Sequence, residues 1–143
     1  MNINKDITNK TIGDYGEEIA CKYLKNHGFA ILTRNYRYEG GEIDIIATKG
    51  KSLFFVEVKT SVRLYKRSLD ADPFRPEVRV NQSKRLKIRQ TARHFLSHIR
   101  DHMNECVYSS PGFFRELDFA IISIVIDRQN KKGIIRFMNN LTF

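Results

Sequence analysis

No apolar run in this sequence approaches the ~18 residues that a membrane-crossing helix requires, so a helical membrane protein is excluded. Cysteine is scarce. Cys21 and Cys106 are too few and too far apart for a zinc cluster, and a disulfide between them is not expected in a reducing compartment. Both read as small, partly buried side chains. The opening residues Met1-Asn2-Ile3-Asn4-Lys5 are polar and lack the apolar segment of a signal peptide, so a cytoplasmic location is expected. Repeats and low-complexity tracts are absent. The length of 143 residues suits one domain covering 1–143, with residues 1–8 expected to be disordered or frayed.

Negative charge is the other deficit: 16 Asp and Glu stand against 25 Lys and Arg, a net +9. The excess is concentrated. From Ser61 to Arg100 there are eleven basic residues, among them Arg63, Lys66, Arg67, Arg79, Lys84 and Lys87, against Asp70, Asp72 and Glu77, a net +8. Such a span is either a solvated helix face joined to a basic loop or the footprint of a polyanion, most simply a phosphate backbone. His94, His98 and His102 form an i, i+4, i+8 row. With Lys and Arg around them and no carboxylate before Asp101, the row reads as a solvated face rather than a metal site.

Two short runs carry the chemistry. Gly41-Glu42-Ile43-Asp44-Ile45-Ile46-Ala47 and Leu53-Phe54-Phe55-Val56-Glu57-Val58-Lys59 alternate with period two and read as strands of a hairpin. Gly50 supplies the positive φ that the first central position of a type II′ turn needs. That turn sets Lys49 opposite Ser52, which by counting places Asp44 opposite Glu57 and Glu42 opposite Lys59, all on one face. Ile43, Ile45, Ala47, Phe54, Val56 and Val58 form the other, apolar face.

Three acids gathered on one strand face repel by about a few kcal/mol per close pair at intermediate dielectric, so something positive belongs between them. A solvated face with a Glu42–Lys59 cross-strand salt bridge meets that need. So does a divalent cation: Asp44 and Glu57 are hard oxygen ligands suited to Mg²⁺, and Lys59 would point at the same water or phosphate.

Around the hairpin, helical spacing predicts a helix from about Asn9 to His27, ended by Gly28. Glu17 falls at the margin of its apolar stripe, where a carboxylate can reach a neighbouring sheet, while Glu18 and Lys22 read as a surface pair. Gly13 and Gly16 cost helicity and hint at close backbone approach. A strand is expected over Phe29–Tyr38. Residues 60–80 read as a long basic loop, followed by a basic amphipathic helix capped by Asn81 and running to about Arg100, with Ile88, Ala92, Phe95, Leu96 and Ile99 inward. After an irregular connection, Leu117–Asp127 reads as a central buried strand and Ile134–Met138 as the last. The sum is an α/β fold with a mixed central sheet of about five strands flanked by helices.

Gly13-x-x-Gly16-Glu17, Asn35-Tyr36-Arg37, Gly41 to Ala47 and Phe55-Val56-Glu57-Val58-Lys59-Thr60, in this order and at these intervals, resemble the YraN (UPF0102) family of small bacterial proteins. Lys84 and Asp118 match further family positions, so the resemblance runs from about Gly13 to Asp118. It implies a restriction-endonuclease-like fold akin to archaeal Holliday junction resolvases. It also implies Asp44, Glu57 and Lys59 as the Asp and Glu-x-Lys of a nuclease core, with Glu17 as a helix-borne acid. The chain departs from the family at Ser61 and Arg75, in a longer segment from Lys59 to Pro76, and by one extra residue before Asp118.

The expectation is a Mg²⁺- or Mn²⁺-dependent endonuclease acting on DNA, selective for structure rather than sequence. Asp44, Glu57, the Val58 carbonyl and Glu17 would hold the metal, and Lys59 would assist at phosphorus. Arg63, Lys66, Arg67, Arg79, Lys84 and Lys87 would grip phosphates. By analogy with resolvases the protein would act as a homodimer. The competing expectation is a nucleic-acid-binding module that keeps the fold without turnover. A third is an assembly factor that binds an acidic protein.

Overall fold

A computed structural model of the chain describes residues 9–63, 81–102, 114–127 and 132–141. The expectations for residues 1–8, for the basic loop at 64–80 with Lys66, Arg67 and Arg79, for the connection at 103–113 with Cys106, and for the turn at 128–131 lie outside the described residues. So does the Arg63 side chain.

Seven elements are present: α1 (Asn9–Asn26), β1 (Ala30–Tyr38), β2 (Gly41–Lys49), β3 (Ser52–Arg63), α2 (Gln82–His102), β4 (Glu116–Asp127) and β5 (Lys132–Met138). Helix α1 stops where Gly28 takes a φ of 83°. The Phe29 N–H donates to the Leu24 carbonyl and the Gly28 N–H to that of Lys25, a Schellman arrangement that satisfies two terminal carbonyls. Phe29 and Leu24 then enter the same core. Helix α2 begins at Asn81, whose Oδ1 accepts the Lys84 N–H at 2.8 Å as an N-cap.

The strands form one sheet in the order β1-β2-β3-β4-β5. β1, β2 and β3 are antiparallel neighbours, β3 and β4 run parallel, and β5 returns antiparallel to β4. Two tight turns fix the first three strands. Glu39 and Gly40, at φ 44° and 75°, join Tyr38 to its partner Gly41, and Gly50, at φ 60°, joins Lys49 to its partner Ser52. β3 continues through Arg63, so residues 60–63 belong to the sheet rather than to a loop.

Alternation along the strands feeds two cores. Ile45, Ala47, Phe54, Val56, Ala120, Ile122 and Ile124 meet Ala20, Cys21 and Leu24 of α1. Ile46, Leu53, Phe55 and Ile121 meet Ile88, Ala92, Phe95 and Ile99 of α2 on the other face. Full burial of each such aliphatic side chain stabilises by about 1.5–3 kcal/mol, which makes this three-layer packing the main source of order. β4 is buried on both faces from Ala120 to Val125, while Leu117 at its start is 53% exposed. The sheet flanked by helices is the α/β class read from the sequence, and it is consistent with a restriction-endonuclease-like fold.

One face assignment is corrected. Ile43 packs with the α2 core, not with Ile45 and Ala47 on the α1 face. The cause lies opposite Asp44. In the β1–β2 ladder Arg34 pairs with Ile45 and Tyr36 with Ile43, and between them Asn35 adopts a left-handed φ of 51°. That twist interrupts the period of two, and the chain resumes with its faces exchanged.

Candidate active site

Two close contacts pull β2 and β3 toward opposite helices. Gly41 lies so near Thr91 Oγ1 and the Lys87 carbonyl of α2 that a Cβ there would sit 2.2 Å and 2.8 Å from them. Gly16 of α1 is equally tight against Thr60 of β3, where a Cβ would fall 1.7 Å from Oγ1. The glycine that signals close approach is therefore Gly16; Gly13 has open space around it. The start of β2 leans on α2 and the end of β3 on α1, and the ladder between them runs only from Lys49↔Ser52 to Ile45↔Val56.

Asp44 fills the split. The antiparallel period makes Val58 the next β3 residue whose N–H faces β2, and Asp44 Oδ2 accepts it at 2.6 Å in place of a β2 carbonyl. In a strand a residue's N–H and C=O share an edge, so the Val58 carbonyl faces the same gap. Burial pushes Asp44 up to about 7 from the usual 3.8, and the negative charge of Glu57 adds to that rise. Glu17 contributes more weakly in the same direction.

Glu57 is buried on the α2 side of β3. Its Oε1 accepts a hydrogen bond from Lys59 Nζ at 2.6 Å and another from Lys84 Nζ. Lys84 belongs to the first turn of α2 and was expected among the flanking phosphate contacts. It is brought to the acid cluster instead. Its ammonium loses hydration through burial, but the bond and charge of Glu57 outweigh that loss and hold it above its ordinary range. Lys59 and Lys84, both partly exposed, thus close over the buried Glu57 carboxylate as one charge network, whose partners are worth most when kept together.

The remaining predicted residues are arranged around this core. Glu42 pairs with Arg37 at 2.9 Å, so the Glu42–Lys59 bridge of the solvated reading is not formed. Glu17 faces Arg34 at 3.5 Å, while Glu18 bonds the other nitrogen of the same guanidinium at 2.7 Å instead of acting as a simple surface partner of Lys22. Among the described residues, no three His, Cys, Asp or Glu side chains converge as a metal cluster. A cleft of about 390 Å³ opens over the network. Glu42, Asp44 and Glu57 form one wall, and Asn81, Ser83, Lys84 and Lys87 from the start of α2 form the other. It is acidic on the sheet side and basic on the helix side.

Asp118, at the far end of the sheet, accepts the Asn140 N–H at 2.8 Å and so ties down the chain after β5. The histidine row is also not uniformly solvated. His94 is half-buried, its Nδ1 lies 2.8 Å from the Tyr36 hydroxyl, and its ring stacks on Tyr38. Helical periodicity alone gave no sign of this, because the partner tyrosines lie on β1, 58 and 56 positions earlier in the chain.

The five-stranded mixed sheet, split where Asp44 meets the Glu57-Val58-Lys59 strand and flanked by helices, is consistent with a restriction-endonuclease-like fold. The sequence model of the family described as "Uncharacterised protein family UPF0102" matches residues 16–124. The chain belongs to that family. It is similar to a UPF0102 protein of Dictyoglomus thermophilum, 34% identical over 125 residues that make up 87% of this chain and 91% of the relative. A UPF0102 protein of Clostridium botulinum (strain Loch Maree / Type A3) is 38% identical over 133 residues, 92% and 94% of the two chains. One from Clostridium acetobutylicum is 35% identical over 133 residues, 92% and 93% of the two. No helix among the described residues is long and apolar enough to cross a membrane.

Proposed function

We propose that the protein is a metal-dependent endonuclease that hydrolyses phosphodiester bonds of DNA and selects its substrate by structure rather than sequence. The observation that carries this reading is the Asp44 carboxylate, set in the split between β2 and β3 beside Glu57 and two lysines. A purely structural acid has little reason to stand there with its pKa raised to about 7 by burial and a second carboxylate.

The donor set suits a hard divalent cation. Asp44, Glu57 and the Val58 carbonyl offer oxygen ligands around one gap, and Mg²⁺ commonly takes one or two carboxylates with waters and substrate oxygens completing its shell. When bound there, Mg²⁺ or Mn²⁺ lowers the pKa of water and polarises a phosphate. The protein's own groups do the rest. Lys59 and Lys84 give up part of their hold on Glu57 and place ammonium charge where negative charge grows on the phosphate oxygens. Lys87 and the α2 amides of the basic wall hold the phosphate without reading bases. Arg34 restrains Glu17 at the margin of the site, close enough for its charge to reach Asp44.

A second reading, a binding module without turnover, draws on the same network: Glu57 is already neutralised by two lysines and needs no metal to be stable. Incubating the protein with branched, gapped and duplex DNA and Mg²⁺ or Mn²⁺ separates the two. The nuclease reading expects cleavage that Asp44→Ala and Glu57→Ala abolish with DNA binding retained, and that Lys59→Met slows by roughly 10²–10³-fold. Binding with no metal-dependent cleavage of any of these DNAs by the unaltered protein would establish the module instead.

A further inference from the structure

Beside the cleft lies an aromatic surface that core packing does not account for. Tyr36 and Phe95, with ring centroids 5.0 Å apart, belong to the α2 core, and Phe95 continues inward to Phe55. Tyr38 stands beyond them. Its ring lies flat on His94, with centroids 3.8 Å apart and planes within 12°, and His98 follows at 6.4 Å and 18° from His94. Tyr38, with His94 stacked on one face of its ring, is half-buried and keeps part of its surface exposed. The Tyr36 hydroxyl, 2.8 Å from His94 Nδ1, anchors the His94 ring.

Its position ties it to the cleft. Tyr38 pairs with Gly41, and Gly40 and Gly41 line the cleft floor. On α2, Lys87 of the cleft wall, Thr91 and His94 follow one another along a single helix face. Seven residues of helix separate Lys87 from His94, or roughly 10 Å at 1.5 Å per residue. Arg93, next to His94 in the chain, is exposed, as is Arg37, which neighbours Tyr38 and pairs with Glu42.

We infer that the Tyr38–His94 stack is a platform for an unpaired nucleobase, so that the cleft takes DNA with an unstacked base within a few nucleotides of the phosphate beside Asp44. This rests on the nuclease reading and adds to it the kind of strand the site accepts. A π-face next to a basic track is the arrangement by which proteins hold single strands without sequence preference. In a paired duplex the bases are already stacked on one another, and Tyr38 would have nothing to receive.

The test uses the full chain without divalent metal, and two DNAs of one sequence: a continuous duplex, and the same duplex with a three-nucleotide gap that leaves 2-aminopurine unpaired. The gapped DNA is expected to bind roughly tenfold more tightly, with quenching of the 2-aminopurine fluorescence. Tyr38→Leu, which keeps an apolar side chain on His94 but removes the π-face, should abolish both the preference and the quenching, with duplex affinity unchanged within about twofold. Tyr38→Phe should keep both. Equal affinity of the unaltered protein for the two DNAs, or a preference that survives Tyr38→Leu, would overturn the platform; metal-dependent cleavage of the duplex would then leave the nuclease reading standing. Failure to bind either DNA would end both.

Discussion

Oδ2 of Asp44 accepts the Val58 N–H at 2.6 Å, a bond that favours the carboxylate, yet burial and the charge of Glu57 still push its pKa up to about 7 from 3.8. Between those two values the folded protein holds a proton that the unfolded chain has released. Stability therefore falls as pH rises through that window and is lower at pH 8 than at pH 5.5. Asp44→Asn removes the titration, so its melting temperature should change less between these two pH values than that of the unaltered protein, by on the order of 5 °C. Adding Mg²⁺ at pH 8 should recover the loss in the unaltered protein and not in Asp44→Asn. Thermal melts at both pH values, with and without the ion, check this; an equal pH dependence in the two proteins would deny Asp44 its raised pKa. At this scale strand alternation was informative for Glu57 and Lys59, two apart on one face, whereas Asp44 reaches them through the break in β2 and its bond to the Val58 N–H rather than through the period. Alternation could not bring Lys84 to them. That contact depends on where the start of α2 lies over β3, a tertiary offset with no period in the chain.

The first turn of α2 supplies both Lys84 and part of the cleft wall, and Asn81 holds it closed by accepting the Lys84 N–H. Asn81→Ala should cost about 1 kcal/mol of stability. It should also speed amide exchange over Gln82–Arg85 while leaving the rest of α2 protected. Exchange unchanged in that turn would show that Lys84 is held by its bond to Glu57 alone. Element boundaries were legible where capping chemistry is local: Gly28 after α1, Asn81 before α2, and Gly50 in the β2–β3 turn all act within a few residues. The break opposite Asp44 was not legible. Asn35 is one of the residue types that tolerate a left-handed φ, but nothing beside it in sequence requires one. As a result alternation alone predicts the wrong face for Ile43 and a ladder that continues to Asp44 and Glu57, where the structure ends it at Ile45 and Val56. The same limit hid the Tyr38–His94 stack, since each ring is unremarkable within its own element.

On the scale of the whole molecule, charge and shape divide the labour. The sheet brings acids to the split between β2 and β3, and α2 sets basic residues along the opposite wall, so a strongly positive chain keeps an acidic wall in this cleft. A positive surface attracts polyanions over long range and loses that attraction as salt rises, whereas on the proposed reading the pocket would act only on what had already bound. The account as a whole requires that this pocket take a divalent cation. The direct measurement is a crystal structure of the protein grown with Mn²⁺, with anomalous scattering used to locate the ion. The account predicts one or two Mn²⁺ sites bound by Asp44, Glu57 and the Val58 carbonyl, with Lys84 drawn back from Glu57. Mn²⁺ absent from the pocket at saturating concentration, with Lys59 and Lys84 still closed on Glu57, would contradict it.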